Sequence, residues 1–300
     1  MTAIIVLNWN GAIDTIDCLS SLKKVEGDFV IIVADNGSTD NSVEKISHWC
    51  EENGLTGDRL HIFKMDKNYG FAKGNNKALA FAKSLNPDSY LLLNNDTEVL
   101  PDFLTKLRDF SIKNPKYRVL TPKICYFNEK DRIWNCGGKL SKMGRRYYYA
   151  KKKESEIKEK HCIDISFVTG CALFFYPELL DEEGCLFTEC FFFGEEDFEF
   201  SIRMKRKKIP MACVLDSKIY HKVSATGDKM NSKGKLYVHY LNRTIDIKHN
   251  YSPLFFAFWK LANIPIMFRF MDFKTIKKIY REARHTDGVS KERFFELVKQ

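Results

Sequence analysis

The pattern of apolar and polar positions changes regularly along the first 120 residues of the chain. Short continuous apolar runs, typical of buried strands, alternate with segments whose apolar residues recur every three or four positions, as on one face of a helix. The runs predict strands at residues 3–7, 29–34, 61–64 and 90–93. The helical segments are residues 12–24, 71–85 and 101–110, with another that is capped by Thr39 or Asp40 and ends at Trp49. This alternation predicts an α/β domain with a parallel sheet covered by helices on both faces.

The remainder of the chain is less regular until it becomes helical from Leu236 onward. Residues 253–270 are strongly apolar and aromatic, but Lys260, Pro265 and Arg269 interrupt them, so the segment is too short and too broken for a membrane span. The basic residues that follow fit a helix lying on an anionic membrane surface, and equally a helix packed on the core or on a second subunit. These basic residues are Lys274, Lys277, Lys278, Arg281 and Arg284.

The composition is that of a soluble globular protein, with 44% hydrophobic and 29% charged residues among 300. The formal net charge of +9 predicts an anionic partner and leaves nucleic acid, lipid headgroups and phosphorylated small molecules open. Nine cysteines without any Cys-x-x-Cys pair indicate neither a zinc site nor a disulfide framework, so we expect a reduced, cytoplasmic protein. The N-terminus leads directly into a predicted strand rather than into a signal peptide.

Polar residues follow the apolar run that ends at Leu93. Asn94, Asn95 and Asp96 come next, and the carboxyl end of a buried parallel strand is where open α/β sheets place ligands. Because Mg²⁺ is commonly held by one or two carboxylates and by substrate phosphates, this stretch predicts a metal–diphosphate site, although Asn and Asp also follow strands simply as turn formers. The first strand is followed by residues 8–11, Asn-Trp-Asn-Gly, which is neither a dinucleotide-binding nor a Walker loop.

An acidic cluster is the second candidate for chemistry. Three phenylalanines and Gly194 lead into Glu195, Glu196 and Asp197. Adjacent carboxylates raise one another's pKa, and a carboxylate in apolar surroundings becomes a better base, so the cluster predicts a general base. The basic run at residues 203–208 either solvates a surface or contacts an anionic lipid.

These stretches belong to a series of blocks that resembles glycosyltransferase family 2, the inverting nucleotide-sugar enzymes with the GT-A fold. The resemblance extends from about residue 3 to about residue 249. The blocks occur in family order at residues 4–11, 32–40, 68–76, 94–97, 168–171, 196–203 and 220–224. The Asn-Trp-Asn and Asn-Asn-Asp-Thr blocks look like those of rhamnosyltransferase-type members that build bacterial surface polysaccharides.

The resemblance implies a GT-A fold, with a Rossmann-like, mostly parallel sheet flanked by helices and a C-terminal helical extension. We expect a catalytic domain over residues 1–240 and an extension over residues 241–300 that contacts a membrane surface or a second subunit. It implies sugar transfer with inversion from a UDP- or dTDP-linked donor to a glycan or lipid-linked glycan acceptor, with possible peripheral membrane contact at the inner face of the cell membrane. A nucleic-acid partner is not expected.

The resemblance also assigns roles to individual residues. It makes Asp197 the catalytic base, while the sequence itself leaves Glu195 and Glu196 open as alternatives. Asp96 corresponds to the last acid of the family's Asp-x-Asp motif and would bind Mg²⁺ or Mn²⁺. His221 would be a further metal or diphosphate contact, while the sequence itself leaves a structural role open for it. The chain departs from that motif in having Asn94 at the position of the first acid.

The remaining predicted site residues concern the donor. Asp35 can accept a hydrogen bond from the imide N–H of uracil or thymine, or it can be an ordinary turn residue. The stretch from Asn68 to Asn76 brings glycines and Lys73 to the start of a helix, where a phosphate is favourably bound. The full predicted donor set is Asn8, Asn10, Asp35, Asn68, Gly70, Lys73, Asn95 and Gly170. Two rival functions remain at this point: a nucleotidyltransferase, and a catalytically silent scaffold that binds polysaccharide or membrane.

Overall fold

The computed structural model describes residues 1–141, 143–223 and 231–299. The strands and helices predicted in the first 120 residues are all present, with bounds that differ by at most three residues. They are β1 (Thr2–Asn8), α1 (Ala12–Leu22), β2 (Phe29–Asp35), α2 (Ser42–Glu52), β3 (Leu60–Lys64), α3 (Phe71–Lys83), β4 (Ser89–Asn94), β5 (Thr97–Val99), which was not predicted, and α4 (Phe103–Lys113).

The cap predicted for α2 is wrong. The capping position is Asn41, whose backbone oxygen accepts the N–H of Lys45, because residues 39–41 still belong to the turn that leads into the helix. Asp40 contributes to this turn, since its Oδ1 accepts a hydrogen bond from the N–H of Ser42 over 3.0 Å.

The second half of the α/β region contains short strands that the sequence pattern does not reveal. A strand of three or four residues is too short to show a periodicity, so residues 119–175 look irregular in the sequence. The elements here are β6 (Val119–Tyr126), β7 (Ile133–Asn135), β8 (Gly138–Ser141), β9 (Gly144–Tyr147), β10 (Cys162–Ile165), β11 (Ala172–Phe175), α5 (Glu196–Arg206) and β12 (Met211–His221). Strands β8 and β9 form a separate antiparallel hairpin.

The main sheet is mostly parallel and flanked by helices, as predicted. Its principal order is β10-β12-β6-β11-β4-β1-β2-β3, and its longest pairings, β1 with β2 and β4, β2 with β3, and β6 with β12, are parallel. Strand β11 runs antiparallel between β4 and β6. The register places Asn8 opposite Asp35 and Leu7 opposite Asn94. The polar residues that end β1, β2 and β4 are therefore gathered at one edge of the sheet.

Both faces of this sheet are buried, which explains the continuous apolar runs in the sequence. On one face, alternate strand residues such as Ile5 and Leu92 pack with Leu79 of α3. On the other face, Ile4 and neighbouring strand residues pack with α1, α2 and α4. The helices thus hold the strand ends, and the polar loops that leave them, in a fixed position.

Four further helices follow the sheet: α6 (Ser232–Asn250), α7 (Pro253–Met267), α8 (Phe273–His285) and α9 (Lys291–Lys299). Helix α6 runs through residue 240, and the division of domains predicted there stays a prediction. Helices α6, α8 and α9 share an apolar cluster with Phe191 and Phe192. Among the helices in the described part of the chain, none is long and apolar enough to cross a membrane.

Candidate active site

A cavity of about 550 Å³ lies at the edge of the sheet where the polar strand ends meet. Its lining includes five of the predicted site residues, which come from three separate blocks of the sequence: Asn68, Gly70, Asn95, Asp96 and Asp197. Six predicted residues are not in the lining: Asn8, Asn10, Asp35, Lys73, Gly170 and His221. The neighbouring Asn94, Glu195 and Glu196 are part of the wall. Ser224, in the last block, lies outside the described residues.

The residues that follow β1 and β2 bind one another. The Asn8 amide donates to Oδ1 of Asp35 over 2.8 Å, and its oxygen accepts from Thr15 over 2.8 Å. The other Asp35 oxygen, Oδ2, accepts the N–H of Ser38 over 3.0 Å. Asn10, which has a φ of 51°, is bound to Thr39 through both its amide nitrogen and its amide oxygen. This network fixes two loops behind the cavity wall.

A second amide network shapes the wall where α3 begins. The Asn36 amide donates to Oδ1 of Asn68 over 3.1 Å and to the Gly70 carbonyl over 2.9 Å. Gly70 has a φ of 83°, and a Cβ there would lie 2.0 Å from the carbonyl oxygen of Phe192, so a side chain is excluded. Asn36 itself lines the cavity, and our sequence reasoning did not single it out.

Two predicted donor residues stand apart from the wall. Lys73 is half-exposed and forms an ion pair of 2.7 Å with Glu189, beside an open groove next to the cavity. Gly170 lies beneath the ring of Phe71, where a Cβ would approach to 3.0 Å, and Phe71 in turn lines the cavity. Gly170 therefore does not line the cavity itself but supports the ring of Phe71, which does.

Asp96, in the cavity wall, meets His221 behind it, because β5 pairs with β12 and brings Thr97 opposite His221. Oδ1 of Asp96 lies 3.0 Å from Nε2 of His221, whose ring packs edge-on against Trp134. Burial opposes the charged imidazole, but contacts with the Cys171 sulfur and the Asp96 carboxylate outweigh it and raise the pKa of His221. Nδ1 of His221 is buried without a hydrogen-bond partner among the described residues.

This pair has the chemistry of a partial metal site. A carboxylate oxygen and a neutral imidazole nitrogen both bind Mn²⁺, and carboxylates bind Mg²⁺, with substrate phosphates supplying further ligands. Because the pKa of His221 is raised, a cation here would have to displace the proton from its Nε2. Within the described residues, no group of three or more His, Cys, Asp or Glu side chains is placed to hold a metal ion. A cation bound by Asp96 and His221 would thus depend on ligands from the substrate.

The three acidic residues at the start of α5 have three different environments. Glu195 is buried, with a φ of 74°, and binds Arg243 over 2.5 Å and His239 over 2.9 Å. Burial opposes its charge, but Arg243 and His239 lower the pKa of Glu195 well below its usual value. Burial and the charge of Asp197 raise the pKa of Glu196 to about 8. Glu195 is thus held ionised, whereas Glu196 is largely protonated at neutral pH.

Asp197 is the most accessible of the three carboxylates, with 22% of its side chain exposed at the cavity. Burial raises the pKa of Asp197 above its ordinary value, and the Arg145 cation opposes this rise. Arg145 comes from β9, and its Nη1 lies 3.6 Å from both Asp197 and Glu195. A carboxylate with a raised pKa, open to a cavity, is suited to accept a proton.

Several residues of the site were missed by sequence reasoning. Arg145 and His239 line the cavity, and Arg243 lies behind the wall on Glu195. Arg145 comes from an irregular stretch, and the other two occupy a helix with no motif of its own. Aromatic rings form the far side of the cavity, and two of them come from α9, which the sequence did not connect with the site. These rings are Trp9, Phe192, Phe193, Phe294 and Phe295. The sequence of α6 and α9 is rich in basic and aromatic residues, which could have hinted at a binding site. Such a composition also occurs on ordinary protein surfaces, so it does not identify a site.

Solved structures with a similar fold are glycosyltransferases. S. aureus TarS, residues 1–349, is 17% identical, with 86% of this chain and 68% of that chain covered and a TM-score of 0.54. The mannosyltransferase PcManGT from Pyrobaculum calidifontis, in complex with GDP-Man and Mn²⁺, is 14% identical, with coverages of 95% and 75% and a TM-score of 0.58. GalNAc-T7 with UDP, GalNAc and Mn²⁺ is 14% identical, with coverages of 99% and 56% and a TM-score of 0.62. At these identities the likeness shows the fold, which is GT-A.

A comparison with curated proteins found no match. The sequence profile described as "Glycosyl transferase family 2" matches residues 3–183, which is more than half of the chain. That match spans the strand ends, the two amide networks and Asp96. The chain belongs to glycosyl transferase family 2.

Proposed function

We propose that this glycosyltransferase moves a sugar from a UDP- or dTDP-linked donor to an acceptor hydroxyl, with inversion at the anomeric carbon. The observation that carries the proposal is that Asp96 and Asp197, from distant blocks of the chain, line the same cavity. A diphosphate beside Asp96 and an acceptor hydroxyl beside Asp197 would share that cavity. A single displacement needs both groups at once, on opposite sides of the anomeric carbon.

Asp197 is the general base of this mechanism. Its carboxylate takes the proton of the acceptor hydroxyl while that oxygen bonds to the anomeric carbon and the bond to the diphosphate breaks. A general base in position contributes about 10²–10⁴-fold to the rate. Glu195 is engaged by Arg243 and His239, and Glu196 is largely protonated, so Asp197 is the carboxylate available for this step.

Asp96 and His221 are the residues that would hold Mg²⁺ or Mn²⁺. The cation would neutralise charge on the diphosphate as it leaves. Support comes from two structures of similar fold, whose ligands are GDP-Man with Mn²⁺ and UDP with GalNAc and Mn²⁺. Asn94, which replaces the first acid of the family motif, lines the cavity beside Asp96 and leaves the site with one carboxylate from this loop.

The finer assignment concerns the sugar and the setting. The blocks at residues 8–10 and 94–97 support a hexosyl- or rhamnosyltransferase of bacterial surface polysaccharide synthesis, acting in the cytoplasm on a glycan or lipid-linked glycan. The aromatic side of the cavity, with Trp9 and Phe295, offers apolar ring faces on which a sugar ring can pack.

Thermal unfolding with UDP, dTDP, GDP and CDP, each with and without Mn²⁺ or Mg²⁺, tests the donor site. A ligand at a hundred times its Kd stabilises the fold by about 2.7 kcal/mol, and we expect a rise in Tm of a few degrees for UDP or dTDP with metal. Asp96→Ala should abolish the metal-dependent part of the shift, whereas Asp58→Ala, an exposed carboxylate remote from the cavity lining, should leave it unchanged. No shift with any of the four diphosphates would contradict the proposal.

A further inference from the structure

Helix α7 carries apolar residues on a face that the protein does not cover. Leu254, Phe258 and Leu261 are exposed to 83%, 60% and 71%, and their spacing of four and three positions places them on one stripe of the helix. The end of α7, the turn that follows and the first residue of α8 add further exposed apolar side chains. These are Ile266, Phe268, Phe270 and Phe273, and the rings of Phe268 and Phe273 stack with their centroids 5.9 Å apart.

The opposite face of α7 is apolar as well, and the protein covers it. Trp259 is buried against Phe198 and Ile202 of α5, and Met267 is buried in the cluster shared by α6, α8 and α9. A helix that is apolar on all sides is normally buried on all sides. The inner face of α7 is already occupied, and no residue in the described ranges covers the outer face, which is thus open to a partner.

Cations lie near both ends of α7. At the start of α7, Arg206 lies over the ring of Tyr251 and donates to Asn250, and the exposed Lys207 and Lys208 follow it. At the other end, exposed basic residues of α8 continue from the apolar turn. Arg269, Lys274, Lys277, Arg281 and Arg284 form no ion pair with any residue in the described ranges.

Helix α8 is oriented by its own apolar residues. Ile276, Ile279 and Ala283 are buried against the cluster of α6 and α9, so the lysines and arginines between them point away from the core. Between residues 253 and 285 the chain has seven Lys or Arg and two Asp or Glu. One of those two acids, Glu282, is bound by Arg293, and the other, Asp272, caps α8.

We propose that the outer face of α7, the turn to α8 and the cations beside them bind an anionic lipid bilayer. The apolar stripe enters the boundary between headgroups and acyl chains, and the lysines and arginines contact headgroup phosphates. The proposal deepens the proposed function, since a lipid-linked acceptor is presented at such a surface, while vesicle binding itself requires no catalytic residue.

Charge distinguishes a bilayer from a second copy of this chain. A symmetric dimer through α7 would bring two copies of the same basic surface together, and like charges at an interface are unfavourable. Anionic headgroups, in contrast, complement the cations on both sides of the apolar stripe. Binding to an anionic bilayer thus explains both the exposed apolar residues and the basic residues of this surface.

Flotation with vesicles, without donor or acceptor, tests this surface. We expect the protein to bind vesicles of phosphatidylcholine with phosphatidylglycerol more strongly than phosphatidylcholine alone, and less strongly as salt rises. Phe258→Ser with Leu261→Ser should lower partitioning by at least about tenfold. Lys274→Gln with Lys277→Gln should lower it by about tenfold or more on anionic vesicles and little on neutral ones.

Matched controls come from elsewhere on the surface. Ile13→Ser with Ile112→Ser removes two exposed apolar residues, and Lys23→Gln with Lys24→Gln removes two exposed cations, and neither pair should change vesicle binding. Unchanged binding of the α7 and α8 variants would overturn the proposal. So would a wild-type dimer that binds no vesicles and becomes monomeric in the α7 variant, since a second copy would then be the occupant. Nucleotide-dependent Tm shifts in the same variants report on the donor site separately.

Discussion

The two sides of the cavity satisfy their polar groups in different ways. On the side formed by the loops after β1 and β2, Asn8, Asn10 and Asp35 bind one another and their neighbours through neutral or singly charged hydrogen bonds. On the α5 side, Glu195 and Asp197 share the Arg145 cation at 3.6 Å, and buried oxygens of Glu196 and Asp246 have no hydrogen-bond partner among the described residues. One side is a hydrogen-bonded scaffold, whereas the other gathers ionised side chains around Asp197, the carboxylate that we propose as the general base.

The strongest test of this contrast is Asp197→Asn. The amide keeps the shape of the side chain but cannot accept a proton as a base, so turnover should fall by about 10²–10⁴-fold while nucleotide binding is retained. Initial rates of sugar transfer and Tm shifts with nucleotide measure the two effects. Glu196→Gln is the matched control: because the pKa of Glu196 is raised to about 8, its carboxyl is already largely protonated and the rate should change little. A nearly normal rate in Asp197→Asn would remove this residue from the mechanism.

Glu195→Gln should cost mainly stability. Removing this charge leaves Arg243 buried and unpaired, and breaking a buried ion pair costs about 3–5 kcal/mol. Because the pKa of Glu195 is lowered in the folded state, its stabilising effect is fully present above its ordinary value of 4.5 and is lost as the pH falls toward the folded value. Urea unfolding at neutral and acidic pH measures this, and the difference between wild type and variant should shrink in acid.

A double variant distinguishes the loss of an ion pair from a general packing defect. Glu195→Gln with Arg243→Met removes both charges, so it should recover part of the stability lost in the single variant. If the double variant is as unstable as the sum of the two single variants, the ion pair is not the cause.

Asn8→Ala tests the scaffold side and should have a smaller effect. The substitution leaves Asp35 and Thr15 each without one hydrogen-bond partner, which costs about 1–3 kcal/mol. In the same urea experiment, Asn8→Ala should lower the free energy of unfolding by less than Glu195→Gln does. The pH dependence of the transfer rate should change little. If Asn8→Ala lowered the free energy of unfolding more than Glu195→Gln does, the scaffold side would contribute more to stability than the α5 side, contrary to this expectation.

Arg145→Met should have the smallest effect, a change in pH dependence. As the proposed base, Asp197 would act when deprotonated, so the rate should fall as the pH drops through its pKa. Arg145 holds that pKa down, and its removal should therefore shift the acid limb of the rate profile to higher pH. Arg146→Met, the next residue of the same hairpin, should leave the limb in place. If the acid limb of the rate profile does not move in Arg145→Met, Arg145 does not influence the pKa of Asp197.

Features that leave a long pattern in the sequence could be predicted, and features that leave a short pattern or none could not. Strands such as β1 and β4 are buried on both faces, so they leave long apolar runs, and the residues that end them, including Asp96, are found together with them. Arg145 lies on a four-residue strand and meets Asp197 only through tertiary structure, so no local pattern predicts the contact. The sequence likewise does not tell that Asn8 and Asp35 bind each other rather than a ligand, because the pairing depends on the register of β1 against β2.

The cavity joins the two extremes of the described chain, since the ring of Trp9, just after β1, lies 6.3 Å from that of Phe295 on α9. Proteins are synthesised from the N-terminus, and their domains generally fold in that order. The residues of the sheet and of both amide networks are therefore synthesised before α9 adds its rings to the aromatic side of the cavity. A chain that ends before Phe295 should therefore lack part of the aromatic surface on which we propose that the sugar ring packs.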